Sequence, residues 1–223
     1  MTKPRALIFD WDDTIVATFK DVLALHHQFL KARGREENIE DQLRQLWGNP
    51  LRKVLADIHP EDQVEKIEEE YYKFIDQADF VVKPFPYAIE ILKKISRQYK
   101  VMGVVSSSPR RGFNKTVSRF FSDAPEVFTF ICMADDCQFH KPDPRVFDPA
   151  FSELDKKGIE ENDVLFIGDG MSDLLAAKAR GIDFVGLLSG FATKEQFIEA
   201  GLSEKKILNG LTDLPNYLNK YPS

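Results

Sequence analysis

Short, mostly apolar runs alternate with amphipathic segments along most of this chain, most clearly from residue 85 onward. The apolar runs predict strands at 101–105, 128–133, 164–167 and 184–188. Apolar positions at helical spacing predict helices between them, at 87–97, 114–121, 145–154, 172–180, 193–200 and 211–218. Because strands that alternate with helices form right-handed βαβ units, the pattern predicts an α/β fold with a doubly wound, Rossmann-like parallel sheet.

The first apolar run, Ala6–Phe9, stands apart from the others in the chain. It is apolar at every position, which is typical of a strand buried on both faces of a parallel sheet. After it the periodicity is helical only, most regularly over 61–78. We therefore predict an all-helical cap domain at 17–82, inserted into a core domain made of residues 1–16 and 83–223.

Composition and charge narrow the range of functions. The chain has 223 residues, 43% of them hydrophobic, which is enough for a large core. Its formal net charge of −6 argues against a nucleic-acid or anionic-membrane partner, because such partners need a basic face. With no membrane-length apolar run and no signal-peptide pattern, we expect a cytoplasmic protein. Cys132 and Cys137 are expected to be reduced thiols, the first of them in the core.

Acidic residues follow the first predicted strand directly. Asp10 and Asp12 lie just past its carboxyl end, where open α/β sheets place their ligands, and Thr14 comes next but one. Two carboxylates that converge repel each other unless a cation or a proton holds them together. One can then stay ionised as a nucleophile or metal ligand while the other carries a proton. An Asp-rich helix cap is the simpler interpretation, and it weakens as similar stretches recur below.

Hydroxyl groups and a lysine follow the next two predicted strands. Ser106 and Ser107 end the strand at 101–105, and hydroxyls with successive backbone N–H groups at a strand end can cradle an anion. Lys141 lies in a proline-rich turn, where its ammonium could neutralise nearby carboxylates and phosphate as a point charge. Taken alone, the serines are more typical of helix caps than of an anion site. The lysine alone is equally typical of a protein surface.

A further strand, predicted at 164–167, again runs into acidic residues. Asp169 follows it and is well placed to join Asp10 in binding a hard divalent cation such as Mg²⁺, which prefers oxygen ligands. Asp173 falls in the first turn of the next helix, where an acidic residue is also favoured by the helix dipole alone.

Taken in order, these four stretches resemble the motifs of the haloacid dehalogenase superfamily, specifically its phosphatase branch. The matching residues are Asp10-Trp11-Asp12-Asp13-Thr14, Ser106, Lys141 and Gly168-Asp169-Gly170-Met171-Ser172-Asp173. Stretches at 83–86, 141–147 and 173–181 are similar to phosphoglycolate-phosphatase-type members. The resemblance implies an α/β core with a helical cap, and a Mg²⁺-dependent phosphatase that acts on a small phosphorylated metabolite.

The resemblance also implies catalytic roles for three residues. Asp10 would attack phosphorus and form an aspartyl-phosphate. Asp12 would protonate the leaving alcohol and then deprotonate the water that hydrolyses the intermediate. Lys141 would screen Asp10 from the incoming phosphate and stabilise the charge that develops.

Substrate and metal contacts follow from the same resemblance. Ser106 and the backbone around Ser107 would hold phosphoryl oxygens, and Thr14 would orient the loop. In the cap, Arg52 and Lys53 follow the turn at Gly48-Asn49-Pro50 and are the candidates for substrate contacts.

Mg²⁺ would be bound by Asp10, the backbone carbonyl of Asp12, and Asp169. Asp173 would hold either Lys141 or a metal-bound water.

Two positions depart from the family pattern. Asp13 stands where the family usually has glycine, so a side chain must fit into a tight loop there. Ser107 and Ser108 stand where many members have asparagine and a basic residue. Both departures concern the subfamily and leave the core mechanism intact.

Three other functions remain open on the same motifs. A sugar-phosphate mutase, similar to β-phosphoglucomutase, would transfer the phosphoryl group to a second hydroxyl instead of water. A phosphonate hydrolase would need a cap lysine for a Schiff base, with Lys53 or Lys31 as candidates. A non-enzymatic phospho-receiver would also use acids, a hydroxyl and a lysine, but receivers are shorter and carry the phosphoacceptor on a later strand.

Overall fold

The computed structural model describes residues 3–122 and 127–221. Its strands are β1 (Ala6–Phe9), β2 (Val16–Ala17), β3 (Lys83–Pro84), β4 (Val101–Val105), β5 (Phe130–Cys132), β6 (Val164–Gly168), β7 (Asp183–Leu187) and β8 (Ile207–Leu208). Its α-helices are α1 (Phe19–Ala32), α2 (Glu40–Leu46), α3 (Leu51–Ile58), α4 (Val64–Gln77), α5 (Ala88–Ser96), α6 (Arg110–Phe120), α7 (Asp148–Asp155), α8 (Met171–Arg180), α9 (Lys194–Glu199) and α10 (Leu214–Leu218). Within the described ranges, no helix has the length and apolar character needed to cross a membrane.

A six-stranded parallel sheet in the order β5-β4-β1-β6-β7-β8 forms the core. β1 lies inside it, and all four of its residues are completely buried. Side chains alternate between the two faces: Leu7 and Phe9 pack towards α5, α6 and α10, and Ala6 and Ile8 towards α7, α8 and α9. Helices therefore cover both faces, which confirms the doubly wound α/β fold predicted from the sequence.

Element boundaries differ from the predicted ones in places where periodicity carries little information. α6 begins at Arg110 and not at 114. Pro109 precedes it, and its first three residues, 110–112, have no apolar side chain that would indicate a helix. The segment predicted as one helix at 145–154 is a 3₁₀ turn, Pro144–Phe147, followed by α7. Cys132 is buried and both cysteines are free thiols, as predicted.

The four helices α1–α4 lie between β2 and β3. These two short strands pair antiparallel, Val16 with Pro84 and Ala17 with Lys83. The segment that leads into the four helices therefore runs beside the segment that leads back to the core. The helices bury apolar clusters of their own, one of which contains Leu25, Phe29, Leu55, Ile67 and Tyr71. This arrangement agrees with an inserted helical cap, while the domain boundaries at 16/17 and 82/83 stay predictions.

A buried histidine lies in this helical layer. The His26 ring stacks on the Tyr71 ring with centroids 4.8 Å apart, and neither ring nitrogen has a hydrogen-bond partner among the described residues. Burial lowers the pKa of His26 to about 3, so the folded state holds a neutral imidazole. The unfolded chain binds a proton near pH 6.5. This histidine therefore leaves the free energy of unfolding undiminished above pH 6.5, and lowers it progressively as the pH falls below that value.

Replacement of His26 by phenylalanine should make stability less sensitive to acid. At pH 5, protonation of this histidine stabilises the unfolded wild-type chain by about 2 kcal/mol. The unfolded His26→Phe chain lacks this stabilisation. Urea unfolding at pH 7.5, 6 and 5 measures the effect. Tyr71→Phe is the control, because it changes the stacked neighbour and keeps the histidine that titrates. Parallel pH dependences for wild type and His26→Phe would show that the histidine is not held neutral.

Candidate active site

The register of the sheet aligns the ends of its three central strands. Phe9 of β1 lies level with Val104 of β4 on one side and with Ile167 of β6 on the other. The backbone N–H of Asp10 donates to the Ile167 carbonyl at 2.8 Å, so the alignment extends past the end of β1. The polar residues that follow these strands therefore leave the sheet at one edge.

A buried lysine joins two of the acidic residues at this edge. The Lys141 Nζ lies 2.6 Å from Asp10 Oδ1 and 2.6 Å from Asp173 Oδ1. The second carboxylate oxygen of Asp173 accepts the Gly170 N–H at 2.9 Å. Both oxygens of Asp173 are thus engaged, and its side chain holds Lys141 against Asp10.

Asp169 completes a cluster of carboxylates beside this lysine. Asp10, Asp169 and Asp173 each offer one oxygen, and these oxygens lie within 4.8 Å of one another. Thr14 is completely buried behind the cluster and donates its hydroxyl to Asp169 Oδ1 at 2.7 Å. A Cβ at Gly190 would come within 1.7 Å of Asp169 Oδ2, so only glycine allows this placement.

The cluster concentrates negative charge in a buried place. Burial raises the pKa of Asp10 and of Asp169, and the neighbouring carboxylates raise both further, while Lys141 counteracts the shift at Asp10. One ammonium does not balance three close carboxylates. Oxygen ligands with excess negative charge suit a hard divalent cation, so Asp10 and Asp169 could hold Mg²⁺.

Asp12 points into a different environment from Asp10. Its Oδ2 accepts the hydroxyl of Ser108 and, at 3.4 Å, that of Ser106. Burial raises the pKa of Asp12 above its ordinary value. Ser107 is also buried, and its hydroxyl has no partner among the described residues. Ser108 was not among the predicted site residues, although its place in a run of three hydroxyls was the signal for it.

One cavity of about 400 Å³ connects these groups with the helical cap. The structure brings seven of the predicted site residues to its wall: Asp10, Asp12, Ser106, Ser107, Lys141, Asp169 and Asp173. Thr14 does not line it and acts behind Asp169 instead. The roles predicted for these residues stay predictions, but their meeting in one cavity is observed.

Arg52 and Lys53 are not brought to the cavity, which corrects the expectation of substrate contacts. Both side chains are more than half exposed; Arg52 pairs with Glu65, and Lys53 pairs with Asp57 at 2.7 Å. The cause is helical periodicity. On α3 the cavity is lined by Leu51 and Val54, three positions apart, and the two residues between them lie on the outer side.

Aromatic side chains hold the cap against the core above the site. Phe191, from the loop after β7, packs edge-to-face on Phe19 with ring centroids 4.4 Å apart. The Arg44 guanidinium lies 4.6 Å from the Phe191 ring and 4.8 Å from the Phe19 ring. Trp47 completes the contact at 4.9 Å from Phe19. Arg44, Trp47 and Phe191 also line the cavity, so these contacts join the cap to the core at its wall. No sequence pattern indicated them.

Asp13, in place of the usual glycine, links the acidic loop to the cap. It has a φ of 51°, in the left-handed region that glycine occupies freely and aspartate tolerates. Its Oδ1 accepts the backbone N–H groups of Thr18 at 2.9 Å and Phe19 at 3.2 Å, at the start of α1. Burial raises its pKa to about 6. The side chain thus fits the tight loop because it caps the first cap helix.

Asp13→Ala should be less stable than Asp13→Asn by about 1–2 kcal/mol. Asparagine keeps an acceptor for the two N–H groups and tolerates the left-handed backbone, whereas alanine does neither. Urea unfolding of both variants at one pH measures the difference. Equal stabilities would show that the cap on α1 contributes nothing.

Comparison with known proteins agrees with this geometry. The chain matches the profile of the haloacid dehalogenase-like hydrolases over residues 7–187, and it belongs to that family. A phosphoglycolate phosphatase from Pseudomonas fluorescens Pf-5 is 29% identical over 198 residues, covering 84% of this chain and 71% of that protein. An N-acetylmuramic acid 6-phosphate phosphatase from Pseudomonas aeruginosa PAO1 is 25% identical over 196 residues, covering 86% and 83%.

Solved structures show the same architecture. A Bacteroides fragilis protein provisionally assigned as a haloacid dehalogenase-like hydrolase superposes with a TM-score of 0.80 at 25% identity, covering 95% of this chain and all of that one. The resemblance drawn from the four motifs is thereby confirmed, and the chain is a hydrolase of the phosphatase type.

Proposed function

We propose that this protein is a Mg²⁺-dependent phosphatase that hydrolyses a phosphomonoester through an aspartyl-phosphate on Asp10. The observation that carries the proposal is the unequal surroundings of two carboxylates on one short loop. Asp10 contacts the Lys141 ammonium, whereas, within the described residues, the Asp12 carboxylate accepts hydrogen bonds from the hydroxyl groups of Ser106 and Ser108. Burial raises the pKa of both acids, but the ammonium in contact with Asp10 favours its ionised form. Asp10 is thus the acid suited to react as a carboxylate, and Asp12 the one suited to carry a proton.

In the first step, an ionised Asp10 oxygen attacks phosphorus, and the bond from phosphorus to the ester oxygen breaks. The leaving alkoxide takes the proton that Asp12 holds, since burial raises the pKa of that carboxyl. Lys141 lowers the repulsion between Asp10 and the incoming phosphate. Ser106 and Ser107, at the cavity wall, are placed to donate hydrogen bonds to phosphoryl oxygens.

In the second step, the ionised Asp12 takes a proton from a water molecule, which attacks phosphorus. The bond between phosphorus and Asp10 breaks, and inorganic phosphate leaves with Asp10 restored as a carboxylate. Both steps need accurate positioning more than covalent chemistry by the protein, as is general in phosphoryl transfer.

Asp10, Asp169 and the backbone carbonyl of Asp12 would hold Mg²⁺, whose charge would neutralise phosphoryl oxygens as they approach the carboxylates. Asp173 is the weaker candidate ligand, because both of its oxygens are already engaged with Lys141 and Gly170. Thr14 orients Asp169 for the same task.

The substrate is proposed to be a small phosphorylated metabolite, as the names of the curated phosphatase relatives indicate for those proteins. A mutase would use the same first step and a second hydroxyl in place of water. Phosphonate hydrolysis has little support, because neither Lys53 nor Lys31 is among the residues that line the cavity.

Asp10→Asn should lower turnover of a generic phosphate ester by at least about 10⁴-fold, because the amide cannot act as the nucleophile. Asp155→Asn, an exposed change on α7, is the matched control and should retain wild-type rates. Phosphate release is the measurement. Appreciable turnover by Asp10→Asn would refute the mechanism.

A second assay separates the phosphatase from a mutase. Release of phosphate from a sugar 1-phosphate is compared with formation of its isomer, and predominant isomer formation would indicate a mutase.

Asp12→Asn should stall with the phosphoryl group on Asp10 when 4-nitrophenyl phosphate is the substrate. That leaving group needs little protonation, so the first step survives, while the second lacks its base. We expect one equivalent of nitrophenolate in a burst, and a phosphorylated Asp10 peptide by mass spectrometry. A burst with no modified peptide would contradict a covalent intermediate.

Mg²⁺ should raise the thermal midpoint of the wild-type protein and of Asp155→Asn, but not that of Asp169→Asn. Binding to the folded state alone stabilises it by about 2.7 kcal/mol when the metal is at 100 times its dissociation constant. Differential scanning fluorimetry with and without Mg²⁺ makes the comparison. An equal shift in all three proteins would place the metal elsewhere.

A further inference from the structure

The cavity continues from the reacting groups far into the cap. Helices α1, α3 and α4 contribute apolar or aromatic side chains to it, and we call this part the cap chamber, lined by Val22, Leu25, Leu51, Val54, Tyr71 and Ile75. The same cavity is also lined by Asp10 and Asp12, which belong to the core. A phosphate ester bound at these two acids would therefore direct its alcohol portion towards the cap chamber.

Cations that line the cavity are already paired with carboxylates. Apart from Lys141, the described lining residues include Arg44, Arg111 and Lys115 as cations. Arg44 pairs with Glu40 at 2.6 Å, and both Arg111 and Lys115 pair with Asp76. An anionic alcohol portion would thus have to compete with Glu40 for Arg44 and with Asp76 for the two cations that share it.

The size of the cavity also argues against a very small alcohol. Its volume of about 400 Å³ lies in the range of pockets that bury drug-sized ligands, roughly 300–1,000 Å³. A two-carbon alcohol would leave much of that volume as water against apolar walls. A larger apolar body would replace that water and gain the hydrophobic contribution of the walls.

We propose that the cap chamber selects phosphate esters of uncharged alcohols with an apolar body over esters of short acidic alcohols such as glycolate. This rests on the proposed function, because the selected group is the alcohol that leaves from phosphorus. The names of two curated relatives indicate substrates of different size, phosphoglycolate and N-acetylmuramic acid 6-phosphate, both of which carry a carboxyl group. The proposal therefore gives this chain a preference that differs from both in charge.

Three primary-alcohol esters test the proposal, since their leaving groups have similar chemistry: 2-phenylethyl phosphate, ethyl phosphate and 2-phosphoglycolate. With wild-type protein and Mg²⁺, kcat/KM for the phenylethyl ester should exceed that of both others by at least about tenfold. A preference for 2-phosphoglycolate, or equal values for all three, would overturn the proposal and leave the phosphatase function standing. Turnover of none of the esters would overturn both.

Ile75→Trp fills the cap chamber and gives the structural test. It should lower kcat/KM for 2-phenylethyl phosphate by at least about tenfold while changing that for ethyl phosphate less than about twofold. Ile198→Trp, an exposed isoleucine outside the cavity lining, is the matched control and should change neither. Leu51→Trp fills the same chamber from α3, and it replaces Ile75→Trp in this test if Ile75→Trp does not fold. Equal losses for both esters in a folded filled variant would overturn the proposal.

Discussion

The buried ammonium of Lys141, held between Asp10 and Asp173, is the interaction on which the site depends. Each of the three charges alone would be costly to bury, and together they satisfy one another at hydrogen-bond distance. Breaking such a pair by removing one partner costs about 3–5 kcal/mol in proteins generally, because a charge is left uncompensated. The same ammonium keeps Asp10 turned towards the cavity, where its carboxylate can react. Stability and chemistry are thus coupled at this residue.

Excess negative charge explains much of the rest of the site. Burial raises the pKa of Asp10 and of Asp169, and the nearby carboxylates, including that of Asp173, raise both further even with Lys141 present. Thr14 holds Asp169 in place through a hydrogen bond. Gly190 makes room for the Asp169 carboxylate because it has no side chain. A bound cation would relieve this repulsion.

The cap is joined to this site through the loop that carries the acids. Asp13 caps α1 from the catalytic loop, and Phe191 contacts Phe19 and Arg44 from the opposite side. A residue of the acidic loop therefore anchors the first cap helix, and the cap helices line the same cavity as Asp10 and Asp12.

From the sequence alone came the doubly wound fold and the cavity residues of the four motifs, including Asp10, Lys141 and Asp169. Both follow from local order, because apolar runs define strands and parallel strands bring their ends to one edge. Only the tertiary structure decided which cap side chains face the cavity. Arg52 and Lys53 face outward while Leu51 and Val54 face the cavity, since packing chooses which side of a helix is buried. Contacts such as that of Asp13 with α1 could not be predicted from the sequence either, because they depend on the angle at which two segments meet.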